Sequence, residues 1–344
     1  MKRTCTAASA LAAVAFLSAG AASPLDRPRE PTALRGVPLH GTTGLRLVVA
    51  DKPPFVLDVD RGSVAPVRAV PTVKRGVLWV VGVGGRAAVV GVASAWRRAG
   101  LYAVRGRGAR VSYLGTGSNV WPVRGGRAVW VQGLVGRSRC TLREVALDGR
   151  VLRAPRAFPC ATASDPAGGS LGLVVHRTRL VDPLTARTVH TTRWGILAAA
   201  GTKLLLAGPG RRLTLLDTET GARRSLRSPA PFAEQVPGAS VDPRGRLVAL
   251  SYGNPAWGTR QVLDVWLLDA TTGKLSQLPG MPAFVSLKYT NMAWTDDGRL
   301  VLVAQSDGTD IVAVWRPGRP RLALKIVQLP ERGDSGSDTF APIR

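Results

Sequence analysis

Histidine and cysteine are nearly absent, at three each in 344 residues. A His/Cys metal centre needs about three or four such ligands at set spacings. His40, His176 and His190 have no such spacing, so neither a metal nor a cofactor is expected. Acids are scarce as well, 22 Asp plus Glu against 47 Lys plus Arg, for a net charge of +25. From Arg61 to Arg143 there are 15 basic residues and no acid, whereas Asp217 to Arg344 carries 15 basic and 13 acidic residues. The positive charge is therefore a sector rather than a uniform coat, and such a field concentrates anionic partners at low salt. Charged residues make up only 20% of the chain and hydrophobic ones 45%, which excludes a disordered polyelectrolyte.

After the first residues no apolar run is long enough to span a bilayer. Lys2 and Arg3 precede a charge-free stretch from Thr6 to Ala22 that ends in small residues fitting an A-x-A cleavage rule. Residues 1–22 read as a secretory signal peptide, which makes the chain exported to the cell envelope or beyond. An uncleaved membrane anchor is the other reading of that stretch. Export leaves Cys140 and Cys160, 20 residues apart, flanking a hairpin signal at Asp148-Gly149. An oxidising compartment allows them to form one disulfide, a staple rather than a redox site, since no C-x-x-C is present.

What the chain has in quantity is turn residues: 39 Gly and 25 Pro. A Gly-led turn followed by an aliphatic run recurs at Gly44, Gly76, Gly126, Gly169, Gly201, Gly245 and Gly298, with gaps of 32, 50, 43, 32, 44 and 53 residues. Their mean, about 42, is the length of a four-stranded propeller blade. A second hairpin follows each run, most clearly in LLDTETGARRSL (215–226) and LLDATTGKLSQL (267–278), where Asp folds onto the turn backbone and Gly takes a positive φ. Seven units of two hairpins predict an all-β, seven-bladed propeller of four antiparallel strands per blade. Residues 23–40 read as a Pro-rich lead-in, 41–330 as one propeller domain and 331–344 as a flexible tail. The lead-in segment ALRGVPL is the expected donor of a strand to the closing blade.

The segments SVDPRGRLVALSY with VWLLDATTGKLSQL, and MAWTDDGRLVLVAQ with VAVWRPGRPRLAL, resemble the repeat of the TolB-like and WD-repeat-like bacterial propellers. The match is good over 240–325, fair over 196–226 and weak before 160. It implies a fold shared by many functions, so chemistry has to be argued from residues.

Catalytic motifs are imitated without their partners. Gly333-Asp334-Ser335-Gly336 resembles a protease serine loop, but only eight residues follow it and no histidine sits in a base motif. Gly82-Val83-Gly84-Gly85-Arg86-Ala87 imitates a dinucleotide fingerprint, yet the acid that would hold the ribose is missing. Asp296-Asp297 and Asp307-Gly308-Thr309-Asp310 read as turns rather than calcium loops. Trp79, Trp130, Trp266 and Trp315 lie within strand runs and read as packing between blades. The loops expected on one face of a propeller carry Trp96, Arg97, Arg98, Tyr252, Trp257 and Tyr289, the expected recognition surface.

These features predict a monomeric, non-catalytic binding or scaffolding module for a protein or an anionic cell-envelope polymer. Nucleic acid is not expected after export, despite Arg105-Gly106-Arg107-Gly108. The alternative is a propeller-fold hydrolase, lactonase or lyase with a site in the central channel.

Overall fold

The structure is a computed structural model. It describes residues 30–71, 76–95, 98–106, 109–135, 139–160, 173–176, 178–209, 212–227, 238–254, 261–285, 292–330 and 339–344. The leader, Gly169 and the 333–336 motif lie outside the described residues.

Among the described residues there are strands and no α-helix. Two short lead-in strands, β1 (Thr32–Ala33) and β2 (Val37–Pro38), come first. The first sheet contains β3 (Arg46–Val49), β4 (Phe55–Asp58) and β5 (Ser63–Pro66). The second holds β6 (Val77–Val83), β7 (Ala87–Ala95), β8 (Arg98–Arg105) and β9 (Arg110–Gly117). The third holds β10 (Asn119–Pro122), β11 (Ala128–Val135), β12 (Arg139–Ala146) and β13 (Val151–Phe158). Among the described residues the fourth has three strands, β14 (Val174–His176), β15 (Arg179–Val181) and β16 (Thr188–Thr191). The fifth holds β17 (Gly195–Ala200), β18 (Lys203–Ala207), β19 (Leu213–Asp217) and β20 (Arg223–Leu226). The sixth has β21 (Gly238–Val241), β22 (Leu247–Asn254), β23 (Gln261–Asp269), β24 (Lys274–Gln277) and β25 (Ala283–Val285). The seventh has β26 (Met292–Trp294), β27 (Leu300–Ser306), β28 (Thr309–Trp315) and β29 (Ala323–Val327), and β30 (Phe340–Ile343) returns to the first sheet.

This is a β-propeller, and the reason lies in its core. The buried side chains form clusters that bridge neighbouring sheets: first with second, second with third, third with fourth, fourth with fifth, fifth with sixth, sixth with seventh, and seventh with first. A middle strand covered on both faces needs a continuous aliphatic run rather than alternation. β27 (LVLVAQS) is buried at six of its seven positions. Outer strands such as β13 and β20 are mostly exposed.

The turns obey the chemistry expected of them. Asp269 Oδ1 accepts from the amides of Thr271 and Thr272 at 3.0 and 2.9 Å, and Gly273 has φ +65°. The β15–β16 turn repeats this with Asp182 accepting from Leu184, but Ala186 occupies the position of positive φ. The imitation of a dinucleotide loop is the hairpin turn between β6 and β7. Consequently the run led by Gly76 is the innermost strand of its sheet, whereas the runs led by Gly126, Gly201, Gly245 and Gly298 are second strands.

Closure corrects one expectation. Residues 340–343 are not a flexible tail: β30 pairs antiparallel with β3 along its whole length, from Arg46 opposite Ile343 to Val49 opposite Phe340. The lead-in instead runs along the outer edges of the last two sheets, with β1 parallel to β25 and β2, from ALRGVPL, parallel to β29. Ser306 pins it there, accepting from the Leu34 amide and donating to the Phe284 carbonyl.

Cys140 on β12 is disulfide-bonded to Cys160, just beyond β13, with Cα atoms 5.1 Å apart. Tying off a 20-residue separation removes about 3 kcal/mol of unfolded-state entropy. Cys160→Ser, or reduction, is expected to lower unfolding stability by about that much. Coincident denaturant curves with and without reductant would contradict it.

Candidate functional site

In an antiparallel meander alternate turns lie at the same end, so the β6–β7 and β8–β9 connections of the second sheet share an end, as do the turns 123–127 and 147–150 of the third. Backbone contacts bring these ends together. A Cβ on Gly84 would lie 3.1 Å from the Gly126 Cα, and one on Gly149 would lie 2.6 Å from the Tyr113 carbonyl. The result is one continuous face carrying Arg86, Arg110, Arg124, Arg127 and Arg150, all with exposed side chains.

Few carboxylates oppose them. Asp148 folds back on its own turn, accepting from the Arg150 amide at 3.0 Å. Asp296, reached from the seventh sheet, pairs with Arg86 at 3.4 Å and with Arg344 at 2.9 Å. Among the described residues, the guanidinium groups of Arg110, Arg124, Arg127 and Arg150 have no carboxylate within salt-bridge distance. Elsewhere turn acids answer turn cations, as in Lys203–Asp217 at 2.5 Å and Arg246–Asp269 at 3.2 Å. The acid-free stretch of sequence thus becomes a cationic face on which, among the described residues, Arg86 alone of these five arginines has a carboxylate partner.

The acids in the adjoining turns of the first and seventh sheets are structural. Asp60 accepts from the Thr43 hydroxyl at 2.6 Å and from the Thr43 and Gly44 amides. Burial opposes its ionisation, but these donors outweigh burial and hold its pKa below the ordinary carboxylate value. Arg299, 3% exposed, bridges Asp297 at 3.0 Å and the Thr43 carbonyl at 3.2 Å. Arg344 adds a contact of 2.8 Å to Asp297. Burial likewise disfavours the Asp297 carboxylate, and the Thr295 hydroxyl and Arg299 prevail over it, lowering its pKa. Asp296 and Asp297 are therefore latches between the first, second and seventh sheets.

The expected recognition residues fare differently from this face. Tyr252 is not on a recognition surface: it is 1% exposed and packs between the fifth and sixth sheets. β22 extends to Asn254, so Tyr252 is still within a strand and follows Val248 and Leu250 inward at period two. Arg98 is exposed at the start of β8, its guanidinium 3.4 Å from the Leu134 carbonyl, at the opposite end from the cationic turns. Trp96, Arg97, Trp257 and Tyr289 lie outside the described residues. Trp130, Trp266 and Trp315 are buried between sheets, and Trp79 is half-buried. The cationic turns were visible in the sequence as charge, but their shared face depends on sheet geometry.

Among the described residues no group of three or more His, Cys, Asp or Glu side chains could hold a metal ion, and no helix is long and apolar enough to cross a membrane.

The Lys203–Asp217 pair gives a test of the turn electrostatics. The Lys203 ammonium, followed by the Glu219 amide, lowers the Asp217 pKa from 3.8 to about 2. A depressed carboxylate stabilises the fold above its unfolded pKa and loses that contribution as pH falls through the folded one. Lys203→Met is therefore expected to be less stable above pH 4 and to shift acid unfolding to higher pH, the two stabilities converging as pH falls from 4 to 2. Superimposable acid titrations by circular dichroism would refute it.

No protein-family model matches the chain, and no curated protein matches it. Solved structures do. A prolyl endopeptidase aligns with a TM-score of 0.52 at 13% identity, covering 84% of this chain and 49% of that one. TolB from Acinetobacter baumannii aligns at 0.47 and 11% identity, covering 86% of this chain and 66% of that one. A periplasmic gluconolactonase from Pseudomonas aeruginosa aligns at 0.47 and 15% identity, covering 87% and 99%. The chain spans about two thirds of the TolB chain and about half of the endopeptidase. Likeness at such identities concerns the fold alone.

Proposed function

We propose that this chain is an exported, monomeric, seven-bladed β-propeller that works as a non-catalytic binding or scaffolding module for an anionic protein or envelope polymer. The seven core clusters, each between successive sheets, support counting the three-stranded sheet as a blade. The observation that carries the functional reading is the face of the second and third blades, where Arg110, Arg124, Arg127 and Arg150 stand exposed without carboxylate partners among the described residues. An exposed guanidinium with no internal partner contributes little to folding and keeps its donors for an external anion. The leader and the disulfide fit an extracytoplasmic protein.

The test is cosedimentation of the mature chain with anionic envelope fragments. Binding is expected at low ionic strength and should fall steeply as salt rises toward about 0.3 M, where screening shortens to a few ångströms. The double variant Arg124→Glu/Arg127→Glu is expected to lower low-salt affinity at least about tenfold, since each reversal replaces attraction by repulsion near about 1 kcal/mol in water. Arg316→Glu/Arg319→Glu, on the seventh blade, should have a smaller effect. Salt-independent binding, or equal losses in both variants, would overturn the reading.

A further inference from the structure

Two turns of the cationic end form a smaller unit within it. β6 and β10 are the innermost strands of the second and third sheets, so the β6–β7 turn (84–86) and the β10–β11 turn (123–127) are the ones nearest the propeller axis. They touch: a Cβ on Gly126 would lie 3.0 Å from the Gly84 Cα, and the Gly126 amide closes its own turn on the Val123 carbonyl at 2.9 Å. Arg86, two residues beyond Gly84, and Arg124 and Arg127, which flank Gly125-Gly126, are thereby gathered around one contact.

The chemistry of that contact is narrow. Within 84–86 and 123–127 the exposed residues are Gly84, Arg86, Arg124, Gly125 and Arg127 and no others. Arg86 meets Asp296 only through Nε at 3.4 Å, and its side chain stays 77% exposed. The neighbouring acids are engaged: Asp296 by Arg86 and Arg344, Asp297 by Arg299 and Arg344, and Asp60 by Thr43 and Gly44. A protein partner needs an apolar centre with anchoring side chains to pack on, and this surface offers only glycine backbone and guanidinium. An extended peptide places side chains on one face every second residue, about 6.6 Å apart, so it brings carboxylates to one contact singly. Phosphates joined through a bridging oxygen bring several charges at once. Guanidinium forks take phosphate oxygens in pairs, and glycine lets the anion approach the backbone.

We propose that the contact between the β6–β7 and β10–β11 turns is a binding site for closely spaced phosphate groups, held by Arg86, Arg124 and Arg127. This inference rests on the anionic-partner reading and narrows the partner to one that carries phosphate. Arg110 and Arg150, on the outer hairpins of the same two sheets, extend the field that a longer chain would follow.

The probe is inorganic tripolyphosphate, with citrate and orthophosphate as controls, titrated calorimetrically into the mature chain at about 0.15 M ionic strength, where exposed charges more than about 8 Å apart are largely screened. One site is expected, with tripolyphosphate bound at least about tenfold more tightly than either control, equivalent to about 1.4 kcal/mol. Arg124→Gln/Arg127→Gln should lower that affinity at least about tenfold without changing the melting temperature, since exposed charges of this kind contribute little to folding. Arg316→Gln/Arg319→Gln, on the seventh blade, should leave it within about twofold, a difference too small to mark a direct contact. Displacement of bound envelope fragments by tripolyphosphate would identify the phosphates as those of an envelope polymer, and retention of the fragments while tripolyphosphate binds would assign the site to a free oligophosphate. No tripolyphosphate binding, equal affinity for citrate, or equal losses in the two double variants overturns the phosphate site, while salt-sensitive binding of the fragments would still uphold the anionic-partner reading. Failure of tripolyphosphate and fragments alike overturns both.

Discussion

A chain lacking residues 339–344 is expected to lose its cooperative unfolding transition. The missing strand is the innermost one of the first blade, and its side chains are core: Phe340 is 4% exposed, Ala341 1% and Ile343 none. Burial of the two large side chains contributes about 3–6 kcal/mol at about 1.5–3 each. Domains of this kind have total stabilities of about 5–15 kcal/mol, so that loss alone removes much of the margin. The deletion also removes the Thr339 carbonyl that accepts from Ala50 and the Thr339 hydroxyl that accepts from Val80. β3 would then face the axis with an unpaired edge, which favours aggregation. Arg344→Ala is the milder comparison: it keeps β30 and loses ion pairs that are 45% exposed on the arginine side, worth about 1 kcal/mol or less. A deletion that melts within a few degrees of the full chain would show that closure lies elsewhere.

The same strand shows where sequence reading stops. The residues FAPI have no alternation, contain a proline and follow a polar run, so local pattern classes them as tail. Their partner, β3, lies almost 300 residues away, and only the ring geometry makes them neighbours. Features whose cause is local were legible. Asp217 with Gly221 and Asp269 with Gly273 each specify a turn through one side-chain acceptor and one positive φ, and the two cysteines flank a hairpin. Tyr252 was misplaced because a strand end next to Gly and Pro looks like a loop, while its neighbour strand β23 extends the pairing as far as Asn254 opposite Val262. For the cationic face, the sequence shows an excess of arginine but not its side. Four hairpin turns in two blades have to be folded to the same end before Arg86, Arg110, Arg124, Arg127 and Arg150 become one surface.

A paired substitution at two glycines tests how that end is held together. Gly85 and Gly298 both have positive φ, +68° and +80°, so alanine at either position incurs about 1–2 kcal/mol of backbone strain. Their surroundings differ. A Cβ on Gly298 meets nothing within 4 Å, whereas one on Gly85 would lie 2.3 Å from the Asp296 backbone nitrogen and 3.0 Å from its Cα. Asp296 cannot move away freely, since Arg86 and Arg344 hold its carboxylate and the Gly298 amide closes its turn onto the Thr295 carbonyl. Overpacking of that kind adds about 1–3 kcal/mol. Gly298→Ala is therefore expected to cost about 1–2 kcal/mol and Gly85→Ala roughly 2–5, measured by denaturant unfolding. The contact joins the β6–β7 turn of the second sheet to the β26–β27 turn of the seventh, across the first sheet, whose inner strands β30 and β3 are not joined by a turn. Equal losses at the two glycines would mean that these turns do not touch, and the latch of Asp296 and Asp297 on Arg86, Arg299 and Arg344 would then not be what closes the ring at this end.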